Sequence, residues 1–305
     1  MTALPQSHHA PLPDGLEIAG YRIVKKIAAG GFSIVYLAYD ALGVVVAIKE
    51  YLPAALVQRH DGALAPAVAE PARAAYQLGL KCFYDEARAL RRIAHPNVVR
   101  VVDFFRAHDT AYLVMAYEAG HTLATQLAAQ GPLAEASIRS IFYQLLQGLR
   151  AVHAQKLLHL DIKPANIQLR NDGTPLLLDF GAARQPLQGL EQVAQGVGAP
   201  MYTPGYAAPE LYTVAAHGGR AALGPWSDVY GVGASLYACR TGAPPPAAGA
   251  AAQGRGGNDA LDAACSRLLG EGHYAPELVA LACACLQAEP LDRPQSLFAV
   301  QKTLQ

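Results

Sequence analysis

The first strong pattern begins at Tyr21. Tyr21–Ile27 and Ser33–Tyr39 are rich in β-branched and aromatic residues. The small residues Ala28, Ala29, Gly30 and Gly31 between them read as a hairpin turn. Val44–Lys49 predicts a third short strand. The alternation then stops: residues 51–75 are Ala-rich, are punctuated by Pro53, Gly62, Pro66 and Pro71, and predict a long connection, usually functional or mobile. A helix is predicted from about Leu78 to Ile93, closed by His95-Pro96-Asn97, and Val98–Phe105 with Ala111–Tyr117 reads as a strand pair. After Gly120 the apolar period lengthens. Ile138, Ile141, Phe142, Leu145, Leu146 and Leu149 recur on one face of a helix over Glu135–Gln155. The last third is mostly helical, with a Pro-, Ala- and Gly-rich connector over about Gly242–Gly257. The plan is α+β: a tail over 1–20, a small β-rich lobe over 21–118 carrying the insert 51–75, a hinge near Tyr117–Gly120, and a larger, mainly α-helical lobe over 119–305.

Composition narrows the classes. Half of the 305 residues are apolar (52%), enough for a sizeable core. Lys plus Arg (24) equals Asp plus Glu (24), so no global field draws the chain to nucleic acid or to an anionic membrane. Any phosphate must be held by a local arrangement. Met1–Asp14 has no apolar signal core, and no run approaches the roughly 18 apolar residues of a membrane span. The chain reads as soluble and cytoplasmic, with no nucleic-acid or membrane contact of its own. Whether a sensor, tether or effector region follows residue 305 is left open. Cys82, Cys239, Cys265, Cys283 and Cys285 are odd in number and scattered, which points to buried free thiols in a reducing compartment. A zinc site would need a second pair of ligands.

Phosphoryl transfer from a nucleotide needs a backbone cradle for phosphate, a cation on those phosphates, a metal with oxygen ligands, and an acceptor for the hydroxyl proton. Ala28 to Val35 offers a cradle of small residues, including Gly30, Gly31 and Ser33, although a plain hairpin would look the same. Lys49 ends the apolar run Val46-Ala47-Ile48, 14 residues after Val35; a lone lysine there also fits a snorkelling strand end. A buried lysine needs a carboxylate, and Glu86 one turn before Leu90 fits, unless it lies on a solvated helix face. The strongest signal is His159-Leu160-Asp161-Ile162-Lys163-Pro164-Ala165-Asn166, followed by Asp179-Phe180-Gly181 after the apolar strand Leu176-Leu177-Leu178. Asp161 can accept a hydroxyl proton, Lys163 can neutralise a transferring phosphoryl group, and Asn166 and Asp179 supply hard oxygens for Mg²⁺.

Together these residues resemble the eukaryotic-type (Hanks-type) serine/threonine protein kinase family over about residues 21–305. The resemblance implies the bilobal protein kinase fold, ATP and Mg²⁺ as cofactors, and protein substrates. It implies that Lys49 contacts the α- and β-phosphates and Glu86, that Asp161 is the catalytic aspartate, and that Asp179 holds metal. Ala28, Gly30, Gly31, Ser33, Val35, Ala47, Lys49, Met115, Tyr117 and Gln168 are then the nucleotide-binding positions, with Met115–Glu118 as the adenine hinge. It further implies that Ala208-Pro209-Glu210 closes the activation segment, that Arg293 partners Glu210, and that Asp228 ties down the catalytic loop. Leu90, His159 and Phe180 are implied to stack as one apolar spine. Ile48-Lys49-Glu50-Tyr51-Leu52-Pro53, the insert, and Thr203-Pro204-Gly205-Tyr206 look like a bacterial branch.

Some positions depart from that pattern. Ala28 and Ser33 stand where glycines are usual, Ala116 where an acidic residue is common, and Gln168 where an apolar side chain usually lies under adenine. Leu160 replaces an arginine that grips an activation-segment phosphate in most regulated members. Between Gly181 and Pro209 there is no serine, and the hydroxyls are Tyr202, Thr203 and Tyr206. The expectation is an enzyme independent of activation-segment phosphorylation, with Thr203 bonded near Asp161 and Lys163. The insert 51–75 lies between Lys49 and Glu86, which suggests either a regulatory docking site or a passive loop. The alternatives are a pseudokinase scaffold, which would need loss of Lys49, Asp161, Asn166 or Asp179, and a small-molecule kinase. Relatives of the latter kind generally lack the Asp-Ile-Lys-Pro, Ala-Pro-Glu and Arg-Pro elements.

Overall fold

A computed structural model describes residues 9–180, 203–212, 223–248, 257–270 and 274–305. Residues 1–8, Gly181, Tyr202 and part of the 242–257 connector lie outside the described residues. The architecture is α+β, and the chain divides into two compact units. One contains the residues up to Ala94 with Arg100–Glu118; the other contains His95–Val99 and the described residues from Ala119 on, apart from those near position 200 that lie outside the description.

The first unit is built on a sheet of β1 (Glu17–Ile18), β2 (Tyr21–Ala29), β3 (Ser33–Tyr39), β4 (Val45–Tyr51), β7 (Val101–Ala107) and β8 (Thr110–Ala116). The order is β1-β2-β3-β4-β8-β7, with every pair antiparallel. Val35 and Leu113 flank Lys49 in register, and Met115 pairs with Ala47. Directly opposed residues share a face, so Val35, Ala47, Lys49 and Met115 line one side of the sheet. Helix α1 (Arg73–Leu90) packs on that side through Tyr51, whose ring lies 5.4 Å from Tyr76 and 5.7 Å from Phe83. A side chain at Gly79 would collide with the Tyr51 hydroxyl, so glycine there admits the ring.

Three expectations change here. The insert is ordered, with short strands β5 (Val57–Gln58) and β6 (Ala67–Val68) paired as a hairpin and Leu52, Leu56 and Val57 buried. Helix α1 starts before Leu78, directly after a single turn at Glu70–Ala72 in which Pro71 supplies a helix-ready φ. The described part of residues 1–20 is also not a loose tail. Ala10 and Leu12 are buried and β1 extends the sheet. Periodicity misses the insert and the described part of residues 1–20 because their few buried apolar side chains form no regular stripe, and polar bonds to the sheet complete the hold.

The second unit contains α2 (Leu123–Gln130), α3 (Glu135–Ala154), α4 (Pro225–Thr241), α5 (Gly257–Gly270), α6 (Pro276–Cys285) and α7 (Leu297–Thr303). Its small sheet has the order β11 (Pro175–Leu177), β10 (Ile167–Arg170), β9 (Gly120–Thr122). The predicted apolar face of α3 is the buried one. Helix α4 is buried on nearly all sides, as its run of small and apolar residues permits. His95–Val99, read from sequence as part of the first lobe, packs here: Val99 N donates to Leu177 O (3.0 Å), Leu177 N to Asn97 O (2.9 Å), and the Asn97 amide to Pro175 O (2.8 Å).

None of the five cysteines forms a disulfide. Cys239, Cys265 and Cys285 are buried and Cys283 half-buried, but Cys82 is exposed, against expectation, on the outer face of α1. Burial pushes the Cys239 and Cys285 thiols up to about 12, so they stay protonated and inert. Among the described residues no helix is long and apolar enough to cross a membrane.

Candidate active site

The loop between α3 and β10 carries His159 to Asn166. It is fastened at its base by the buried Asp228 in the first turn of α4. Asp228 Oδ2 accepts from His159 N (2.9 Å), and Oδ1 from Leu160 N (2.7 Å). His153 Nε2 lies 2.7 Å from Oδ2. Leu160 has φ +62°, a left-handed conformation that a leucine adopts only when its surroundings hold it there. The two amide bonds to Asp228 supply that hold. Sequence reasoning missed His153; it sits in the last turn of a helix whose neighbours are apolar, with no motif to single it out.

Above that base, Asp161 is the centre of a polar network. Its Oδ1 accepts from Thr203 Oγ1 (2.8 Å), and its Oδ2 accepts from Asn166 Nδ2 (2.9 Å) and lies 2.7 Å from Lys163 Nζ. Lys163 Nζ also donates to Thr203 Oγ1 (2.7 Å). Thr203 is therefore occupied structurally, as expected. Both carboxylate oxygens are fixed in direction while the side chain stays 19% exposed, so an incoming hydroxyl can reach it.

The strand end before Asp179 is sewn to the same loop. Leu178 N donates to Asn166 O (2.8 Å), and His159 Nε2 donates to Leu178 O (2.9 Å). With Nε2 as donor, Nδ1 accepts from Asp161 N (3.3 Å), which assigns the neutral Nε2–H tautomer. The His159 ring lies 4.6 Å from that of buried Phe180. Asp179 is exposed, at φ +52°. Asn166 spends its amide hydrogens on Asp161 O (2.8 Å) and Oδ2, which turns the hard amide oxygen to other use. Among the described residues no group of three or more His, Cys, Asp or Glu gathers as a metal cage. One carboxylate and one amide oxygen fit a Mg²⁺ ion that takes its remaining ligands from phosphate and water.

The remaining expected residues lie in the first unit, except Gln168, which lies in the second. Lys49 is buried at 5% exposure within β4, and Glu86 is half-buried on α1. Ala28 is the penultimate residue of β2, which leads into the exposed Gly30 and Gly31, and Gly30 N donates to Ser33 O (2.9 Å). Tyr117 follows β8 and is exposed, and Gln168 in β10 pairs with Thr122 and Leu176.

A second anchor closes the segment after Thr203. Arg293 forms a fork with Glu210, Nη1 to Oε1 at 2.8 Å and Nη2 to Oε2 at 2.9 Å, and Ser227 Oγ donates to Oε1 (2.7 Å). Arg293 also donates to the carbonyls of Gln287, Trp226 and Ala288, so the buried guanidinium is satisfied on every side.

Comparison with known proteins agrees with this geometry. Residues 21–304 match the protein kinase domain family. The Thermomonospora curvata protein named "Probable serine/threonine-protein kinase PkwA" is 31% identical over 91% of this chain, and the serine/threonine-protein kinase pkn2 of Myxococcus xanthus is 32% identical over 75%. This chain spans only 33% and 25% of those two relatives. The solved structure of the PpkA-294 apo form aligns with a TM-score of 0.76 at 33% identity, covering 97% of this chain and 99% of that one. The chain belongs to the protein kinase family and is a serine/threonine kinase domain of the eukaryotic, Hanks type that these bacterial relatives also carry.

Proposed function

We propose that this domain transfers the γ-phosphoryl group of ATP to serine or threonine hydroxyls of proteins, with Asp161 as the residue that orients the hydroxyl and accepts its proton. The observation that carries the reading is the Asp161–Lys163–Thr203–Asn166 network on a loop pinned by Asp228. Lys163 places a positive charge beside the carboxylate, where charge on the moving phosphoryl group needs neutralising. Asn166 and Asp179 would hold Mg²⁺, which when bound supplies charge neutralisation on the phosphates. Lys49, partnered by Glu86, addresses the α- and β-phosphates. The turn Ala28, Gly30, Gly31, Ser33 cradles phosphate, and Val35, Ala47, Met115, Tyr117 and Gln168 receive the adenosine. The test is Asp161→Ala with labelled ATP, Mg²⁺ and a generic protein substrate. Loss of transfer with nucleotide binding retained supports the assignment. Transfer undiminished in Asp161→Ala refutes it, and a wild type that binds partners but transfers nothing supports the scaffold alternative.

Leu160 supports independence from activation-segment phosphorylation. The side chain is buried at 6% exposure, and no guanidinium stands there to receive a phosphate. Phosphatase-treated protein should keep its activity; a collapse that traces to Thr203 or Tyr202 overturns this part. A regulatory partner at the insert is supported by a cavity of about 620 Å³ in the first unit. It is lined by Pro66 and Val68 of the insert, Tyr76 and Leu80 of α1, and Arg106 and Thr110 of the β7–β8 hairpin. Gln77→Trp, which places an indole in this cavity from α1, should abolish any stimulation by host lysate; stimulation unchanged by that variant removes the docking role.

A further inference from the structure

Glu50 follows Lys49 on β4, so its side chain leaves the opposite face of the sheet. There it is completely buried, and so is Arg59, which reaches it from the insert. Arg59 Nη1 donates to Oε1 (2.6 Å) and Nη2 to Oε2 (2.8 Å), a bidentate fork. The remaining acceptor positions of Glu50 are filled by Tyr36 Oη from β3 and Tyr112 Oη from β8, each at 2.8 Å. One carboxylate thus ties together three neighbouring strands. The arginine has further duties: Nη2 donates to Tyr36 Oη (3.1 Å) and Nε to Ala10 O (2.7 Å), while Leu12 N donates to Tyr36 Oη (3.0 Å). Burial alone would disfavour the charged guanidinium, but contact with Glu50 outweighs it and holds the Arg59 pKa above its ordinary value.

The start of the insert also reaches the glycine turn. Leu52 N donates to Phe32 O and Ala54 N to Gly31 O, both at 2.8 Å. The segment from Glu50 to Arg59 therefore grips the phosphate-cradle turn at one end and the strand of Lys49 at the other. A buried ion pair is rarely the most stabilising way to fill such a site; well-packed apolar residues do that as well. What a saturated fork supplies is a single geometry.

We propose that Arg59 is a positioning residue for nucleotide binding: through Glu50 and the insert backbone it fixes Lys49 and the glycine turn in the geometry that receives ATP phosphates. The proposal rests on the kinase reading above for the role of Lys49. Arg59 touches no reacting group.

The experiment uses the full chain with Arg59→Lys and Tyr36→Phe. Arg59→Lys keeps the charge but cannot form the fork; Tyr36→Phe removes the hydroxyl shared by Leu12, Arg59 and Glu50. Thermal midpoints, the dissociation constant of Mg-ADP by calorimetry, kcat, and KM for ATP and for protein substrate are measured well below each midpoint. Arg59→Lys should weaken Mg-ADP and raise KM for ATP about tenfold with KM for protein substrate unchanged, since displacing phosphate ligands by a fraction of an ångström has effects of that size. Tyr36→Phe should move the same constants in the same direction by less. If Arg59→Lys does not fold, Tyr36→Phe decides on the same readouts. Lower midpoints with Mg-ADP and ATP constants within about twofold of wild type would make the cluster merely structural and overturn the proposal. A wild type that binds Mg-ADP but transfers no phosphate sinks the catalytic reading, while the ADP constants still decide the role of Arg59. A wild type that binds no Mg-ADP overturns both.

Discussion

Asp228→Asn isolates the contribution of one buried carboxylate. In the wild type Oδ1 receives Leu160 N and Oδ2 receives His159 N and His153 Nε2, all between 2.7 and 2.9 Å. Asparagine has the same shape but one acceptor oxygen. Whichever way its amide turns, its NH₂ faces at least one backbone N–H that is buried and has lost its partner. An orphaned buried donor costs about 1–3 kcal/mol, and the lost bond was to a charged acceptor, so the expected loss is about 2–4 kcal/mol. For a unit of this size that lowers Tm by roughly 5–15 °C. The left-handed Leu160 loses its restraint as well, and a loop displaced by about 1 Å should lower kcat by about 10²-fold. The assays are a thermal scan, hydrogen exchange at the amides of His159 and Leu160, and kcat at a temperature where the variant is folded. Protection at those two amides equal to wild type, with Tm lowered by less than about 1 °C, would refute the reasoning.

Arg293→Met should destabilise the second unit by about 3–5 kcal/mol, because Glu210 is left charged and buried, whereas Arg293→Met with Glu210→Met should recover most of that loss in denaturant unfolding. Gly148→Ala places a Cβ 2.9 Å from Asn97 O, a backbone atom that cannot swing away, and should cost about 1–3 kcal/mol despite alanine's better helix propensity; a stabilised variant would show that α3 can shift. Glu135 accepts from Ala275 N (2.8 Å) and Arg139 Nε (2.7 Å), and these bonds hold its pKa below the ordinary 4.5. Its depressed value means a stabilisation that is complete above the unfolded pKa and lost as pH falls through the folded one. Glu135→Gln should therefore lower stability by about 1 kcal/mol at pH 7, since the pair is partly screened, and by progressively less below pH 4.5, which unfolding midpoints across pH would check.

Elements with a repeating apolar face could be read from the chain alone. The face of α3, the hairpin of β2 and β3, and the buried strand before Asp179 all follow from side chains that repeat at fixed spacing. The candidate site was legible for a different reason: Asp161, Lys163, Asn166 and Asp179 are crowded into two short motifs, so their chemistry survives without coordinates. What was hidden depends on partners far apart in sequence. Glu50 meets Tyr112 across 62 positions and Arg59 meets Ala10 across 49, and a lone charge in an Ala-rich stretch carries no sign of such a meeting. The start of α1 was obscured likewise, because alanines and a proline before Leu78 have no stripe to declare a helix. His95–Val99 was assigned by its place in the chain, whereas its backbone bonds to Leu177 assign it by pairing.

The kinase family match begins at Tyr21, yet described residues about a dozen positions earlier already pack into the first unit. A polypeptide trimmed to begin at the family boundary would lose the carbonyl of Ala10 and the amide of Leu12, and would uncover Tyr36 and Arg59 to water. Enzymologists who cut there would be handling a protein with a loosened first unit, and low activity in that shortened form would report on the cut rather than on the uncut domain.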